Sequence, residues 1–218
     1  MTDDRRTAPL AGFADAFAAA ASDAVRLVER PFLAQVGVRV FGARSGAPDP
    51  AGLSAAEAAL GFPLPAEPNT VADAGGTDAL WLGPDEWLVV SAPGSEAALE
   101  AELAEALAGL GSVVDLSANR TAVQVAGPRA RDVLAKGCAL DLHPRAFGMG
   151  RCAQTLLGRA QVVLEQLADE PLTYGLLVRN SFAAYVATWL LAAAEEFSSA
   201  RASADRRQRS VRASSLNV

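Results

Sequence analysis

VVDLSANRTAVQVAGPRARDVLAKGCALDL, residues 113–142, compresses strand, turn, strand and helix signals into one short span. Val113, Val114 and Leu116 form an apolar run, Asn119-Arg120 a polar turn, and Thr121 to Val125 alternates as a half-buried strand should. The span therefore reads as one supersecondary unit, a hairpin followed by a helix. Gly127-Pro128 opens that helix, because proline at the first helical position gives up no hydrogen bond, and Val133 and Leu134 supply its apolar face before Gly137 ends it.

Working outward, Phe32–Phe41 reads as a strand, Ser54 caps a short helix through Leu60, and the Pro-rich GFPLPAEPN breaks into a loop. Leu80–Leu82 and Trp87–Ser91 are strands joined by Gly83-Pro84-Asp85-Glu86, and Ser95 caps a helix to Leu110. Thr155–Leu157 and Gln161–Leu167 turn at Gly158-Arg159, Tyr174–Val178 is the last strand, and Phe182–Phe197 the last helix. The expected class is α+β. Two α+β halves, 29–110 and 111–197, each carry helices on a mostly antiparallel sheet, because the hairpins are too short for parallel crossovers. An Ala-rich extension, 1–28, precedes them, and an Arg-rich tail, 198–218, follows.

At 218 residues and 51% hydrophobic, the chain can bury a sizeable core. Five Arg and one Asp give residues 198–218 a local +4, which leaves −10 on the remainder of a chain whose net charge is −6. An acidic body repels nucleic acid, and the tail has no helical or strand period and reads as disordered. Two cysteines, Cys138 and Cys152, without CxxC spacing read as free, buried thiols in a reducing compartment, the alternative being one bridge between them. Arg5-Arg6 ahead of AGFADAFAAAA has the outline of a twin-arginine signal, but Asp3, Asp4 and Asp15 argue for a plain Ala-rich helix. No run is apolar enough to span a membrane, so a soluble, cytoplasmic protein is expected.

The inventory of chemistry is thin. His143 is the sole histidine, which excludes a His-rich metal site or two-histidine relay within the chain, and its Asp-Leu-His-Pro setting is a turn. Gly148-Met149-Gly150 with Ala153 fits the G-x-G-x-x-A pattern, but a strand rather than a helix follows, so it reads as a glycine-eased turn. Asp115 has the chemistry of a general base, and Arg120 or Arg179 could clamp a carboxylate bidentately. The structural alternatives weigh more: Asp115 bonding the turn at Ser117, Arg120 pairing with Asp115 across the hairpin, and Arg179 binding carbonyls near the last helix. Trp81, Trp87 and Trp189 are either interface anchors or core, with core favoured for Trp87 in its fully apolar strand. No catalytic, cofactor-binding or metal-ligating residue is assigned.

Four blocks in order carry a family resemblance. The sequence Asp-Leu-Ser, Val-x-Gly-Pro-x-Ala-x-x-Val-Leu, Asp-Leu within 113–142 is similar to the folate-binding fold of the glycine-cleavage aminomethyltransferases. Tyr174–Phe197, with Arg179-Asn180-Ser181 at the turn and Trp189-Leu190 and Glu196-Phe197 on the helix, resembles the C-terminal signature of the gamma subunits of heterotetrameric sarcosine oxidase. Glu29–Val40 and Trp81–Val90 resemble that family's entry strand and central hairpin. Lys136-Gly137-Cys138 is similar to a signature of a folate-binding iron–sulfur maintenance family, but Ala139-Leu140-Asp141-Leu142 departs from its continuation, and Lys136 is read as decorating a helix end, where it favours the dipole.

The resemblance implies a non-catalytic gamma subunit bound to alpha, beta and delta partners, in a complex that oxidatively demethylates sarcosine to glycine and passes the one-carbon unit to tetrahydrofolate. It also implies that NAD and the folate domain lie on alpha, FAD on beta, flavin mononucleotide between the two, and zinc on delta, with none held by this chain alone. Alternatives are a stand-alone folate-binding or aminomethyltransferase-like domain, against which the short length speaks, and an interaction module without oxidase partners.

Overall fold

The computed structural model describes residues 6–42 and 47–198; Arg5 and the Arg-rich stretch beyond Ser198 lie outside the described residues. Among the described residues, ten strands form two antiparallel five-stranded sheets. The first sheet contains β2 (Ala34–Val40), β3 (Val71–Ala74), β4 (Thr77–Gly83), β5 (Glu86–Ser91) and β6 (Gly111–Asp115), in the order β3-β4-β5-β2-β6. The second contains β1 (Arg26–Arg30), β7 (Arg120–Ala126), β8 (Cys152–Leu157), β9 (Ala160–Asp169) and β10 (Leu172–Arg179), in the order β1-β7-β10-β9-β8.

The side-chain alternation of the strands decides how the sheets stack. Trp87 and Val89 on β5, with Val36 and Val38 on β2, pack against α2 (Pro50–Leu60) and α3 (Glu96–Ala106) through Ala56 and Leu103. The opposite face of the same sheet sends Leu80 of β4 and Leu88 and Val90 of β5 to meet Ala122, Val163 and Leu177 of the second sheet. Val123, Val125, Leu164 and Leu176 then point outward, beneath α1 (Ala14–Ala20), α4 (Ala130–Ala135) and α5 (Asn180–Ala194). The result is four layers, helix, sheet, sheet, helix, in which the central strands are buried on both faces and read as unbroken apolar runs.

Several local expectations change. The hairpin read across Val113–Val125 does not form: β6 pairs with β2, and β7 pairs with β1 and β10. Leaving α3 through Gly111, β6 puts Val113 against the first sheet's helices, and the polar connection Leu116–Asn119 steps the chain from one sheet to the other. Arg120 and Asp115 are therefore not cross-strand neighbours. The Ala-rich segment contributes Leu10 and Phe17 to the second core, and α1 lies against β1 and α5. The cap of α2 is Asp49, whose side chain accepts the Ala51 N–H at 2.8 Å with Pro50 at the first position; Ser54 sits inside the helix. Pro128 lies ahead of α4, not at its first position, and Ser95 precedes α3 without a side-chain capping bond, its Oγ donating back to Ala92. Helix α3 ends at Ala106, short of Leu110, where a tight turn takes over.

One glycine of the 113–142 span is obligatory. Gly127 has φ +120°, and a Cβ there would lie 2.5 Å from the Ala24 carbonyl oxygen, which accepts the Arg129 N–H. Gly127→Ala is expected to lower stability by about 2 kcal/mol or more, through backbone strain and displacement of the β1 entry. A urea midpoint equal to wild type would remove that reading.

Candidate functional site

The space between the sheets is where polar groups collect. Its centre is apolar, but buried acids collect at one end and a pair of arginines at the other. At one end Glu165 of β9 and Asp78 of β4 line a cavity of about 280 Å³, together with Arg30, Gln124 and Ser91. Glu165 is only 6% exposed, and Gly175, directly opposite on β10, leaves the room its carboxyl needs. Burial, and then the charge of Asp78, push the Glu165 carboxyl up to about 8. Asp78 is raised as well, by burial and then by Asp73. This end thus holds a carboxyl that is protonated near neutral pH, with a second acid beside it.

At the other end Arg120 and Arg179 share a cavity of about 210 Å³ with Gln154, Leu156 and Gln161. The register places Arg179 of β10 directly opposite Arg120 of β7, on the face turned toward the first sheet. Burial first, and then the neighbouring Arg179, lower the Arg120 guanidinium from its ordinary value, with Glu86 acting in the opposite direction. Its Nη1 is buried without a hydrogen-bond partner. Gln35, buried behind it on β2, donates to the Arg120 carbonyl at 2.9 Å and so ties the sheets together. Among the described residues, neither arginine forms an ion pair with Asp115, whose Oδ1 instead accepts the Ser117 N–H at 2.8 Å. Near the start of the last helix it is the neighbouring Asn180 whose backbone and side-chain N–H groups donate to the Asn119 and Ala118 carbonyls.

The remaining sequence candidates have structural roles. His143 is exposed in a turn, its Nδ1 accepting the Arg145 N–H. Gly148-Met149-Gly150 is a turn into β8, with no helix after it. Lys136 ends α4 and reaches the C-terminus of α5, donating to the Ala193 carbonyl and pairing with Glu196 at 2.5 Å, so the dipole it serves belongs to the last helix. Trp87 is fully buried, Trp81 packs on the first core, and Trp189 packs on the second, over Gly137. Cys152 is buried, its thiol donating to the Thr70 carbonyl and pushed up to about 12, chiefly by burial. It is an inert thiol at physiological pH. No group of three or more potential metal ligands occurs among the described residues, and no helix among them is long and apolar enough to cross a membrane.

Sequence reasoning considered Arg120 and Arg179 singly and missed Glu165 and Asp78. Glu165 shares with Val163 the face of β9 turned toward the first sheet, and only the cover of that sheet makes both faces of β9 interior.

Known proteins resemble this chain along nearly its whole length. The family described as "Sarcosine oxidase, gamma subunit family" matches residues 44–196. Sarcosine oxidase subunit gamma of an Arthrobacter species is 42% identical over 197 residues, covering 89% of this chain and 92% of that protein. A chain of the heterotetrameric sarcosine oxidase from Corynebacterium sp. U-96, solved in complex with pyrrole 2-carboxylate, is similar with a TM-score of 0.79 and 39% identity, covering 89% of this chain and 97% of that one. Glycine cleavage system aminomethyltransferase T from Bartonella henselae shares the fold at a TM-score of 0.56 and 16% identity, over 77% of this chain and 45% of its own.

Proposed function

Because this chain belongs to the sarcosine oxidase gamma subunit family, we propose that it serves as a non-catalytic scaffold, docked with alpha, beta and delta subunits in a cytoplasmic complex that oxidatively demethylates sarcosine. The observation that carries this reading is the likeness, over almost the full length of both, to a chain of the heterotetrameric enzyme. On this reading FAD, flavin mononucleotide, NAD, tetrahydrofolate and zinc are held by the other subunits. The internal geometry supports it. The middle of the inter-sheet layer is filled by Leu80, Leu88, Val163 and Leu177.

Purifying the tagged full-length chain gently from its native host tests the reading. The expected product is a yellow complex with one large and two smaller partners that oxidises sarcosine only when assembled. A colourless lone chain would overturn it, and folate binding by that chain would point to a stand-alone folate protein.

A further inference from the structure

The Arg120–Arg179 pair is an arrangement that costs the folded chain stability unless something else is bound. Like charges directly opposite on neighbouring strands repel, and here the repulsion is aggravated because one guanidinium is partly buried with an unpaired Nη1. The carboxylate whose charge reaches Arg120, Glu86, is engaged by Arg39 at 2.6 Å. Asp115 shares a neighbouring recess with Arg120, but one of its oxygens is held by the Ser117 backbone. The cavity beside the pair is walled by Gln154, Gln161 and Leu156 and opens to solvent at the end of the inter-sheet layer. Gln154 is fixed by donating to the Leu82 carbonyl of the first sheet at 3.0 Å, so the wall is braced by both sheets.

We infer that Arg120 and Arg179 form an oxyanion site that takes a carboxylate, held by the two guanidinium groups at the open end of the inter-sheet layer. Two planar forks converging from adjacent strands suit the two oxygens of a carboxylate, each bond being charge-assisted. The volume admits one such group with a short stem. A polyanion is a poor fit, since the body of the chain is acidic and would repel it. The carboxylate has two sources: a free small carboxylate, or an Asp or Glu side chain presented by a partner subunit. The second source rests on the subunit reading above.

The test uses the purified full-length chain, with succinate as the probe against sodium chloride of equal ionic strength. Wild type is expected to gain about 3 °C in melting temperature at saturating succinate. Arg120→Gln and Arg179→Gln should lose the gain, and Arg179→Lys, which keeps the charge without the fork, should retain part of it. No gain in wild type, or the same gain in both glutamine variants, overturns the site. Repeating the titration on the assembled complex separates the sources. If a partner's side chain fills the site, succinate gives no gain there and Arg179→Gln weakens assembly in a salt-dependent way. If the ligand is free, the gain persists and assembly is unaffected. Because the first arm needs no partner, a chain that fails to assemble with oxidase subunits would leave the site standing and remove only the subunit reading.

Discussion

Glu165→Gln will stabilise the folded chain at pH 8 and above while leaving its stability near pH 4 almost unchanged. The Glu165 carboxyl ionises near its ordinary value of 4.5 in the unfolded chain but only at about 8 in the folded one, because burial and then Asp78 disfavour its charge. Between those values the native state binds a proton that the unfolded state has released, so stability falls as pH rises through that window and levels off beyond it. Each unit of displacement is worth 1.36 kcal/mol, so the full effect is on the order of 4 kcal/mol. Glutamine matches the shape of the protonated acid and has no charge to bury. Asp78→Asn acts on the second cause only, and should move the upper edge of the window downward without removing it. Urea unfolding of the full chain at pH 5, 6.5 and 8 reads both effects. Parallel profiles for wild type and Glu165→Gln would show that the carboxyl is hydrated in the folded protein and that the inter-sheet layer is open at that end.

How far such features can be read from sequence depends on whether one element or two define them. The strands β4, β5, β9 and β10 are legible because their own alternation or apolar run announces them, and α5 because Ala183, Val186, Ala187 and Leu190 recur at helical spacing. The edge strands β1 and β3 are not legible: Arg26–Arg30 carries three charges in five residues and buries only Leu27, and Val71–Ala74 buries none fully. The partnership of β6 with β2 is tertiary, so a local reading of Val113–Val125 gives a hairpin instead. The candidate site has the same limit. Arg120 and Arg179 stand 59 positions apart, and only the register of β7 on β10 makes them neighbours. Glu165 follows the apolar run Val162–Leu164 and is itself polar; it is buried because the first sheet covers its face, which no single strand can announce.

The same double coverage makes Trp87 the largest single contributor to the first core, and Trp87→Ala is expected to cost 3–5 kcal/mol, typically about 4. Trp87 is 1% exposed, and its ring packs with Val36, Val38 and Leu103, joining β2 to α3. Its Nε1 donates to the Pro65 carbonyl at 2.8 Å, which pins the Pro-rich loop between α2 and β3 onto the sheet. Alanine would leave both a cavity and an unpaired carbonyl. Trp87→Phe separates the two: it keeps most of the packing and loses the bond, and should cost about 1–3 kcal/mol. Trp189→Ala is the comparison, because Trp189 is only half-buried and its loss should cost less than that of Trp87. Circular dichroism should follow urea unfolding, since the fluorophore itself is being changed. If Trp87→Phe costs as much as Trp87→Ala, the loop anchor dominates and the first sheet depends on the Pro65 contact more than on core volume. If Trp87→Ala stays within about 1 kcal/mol of wild type, the layer between the first sheet and its helices collapses around the gap and the core is not close-packed there.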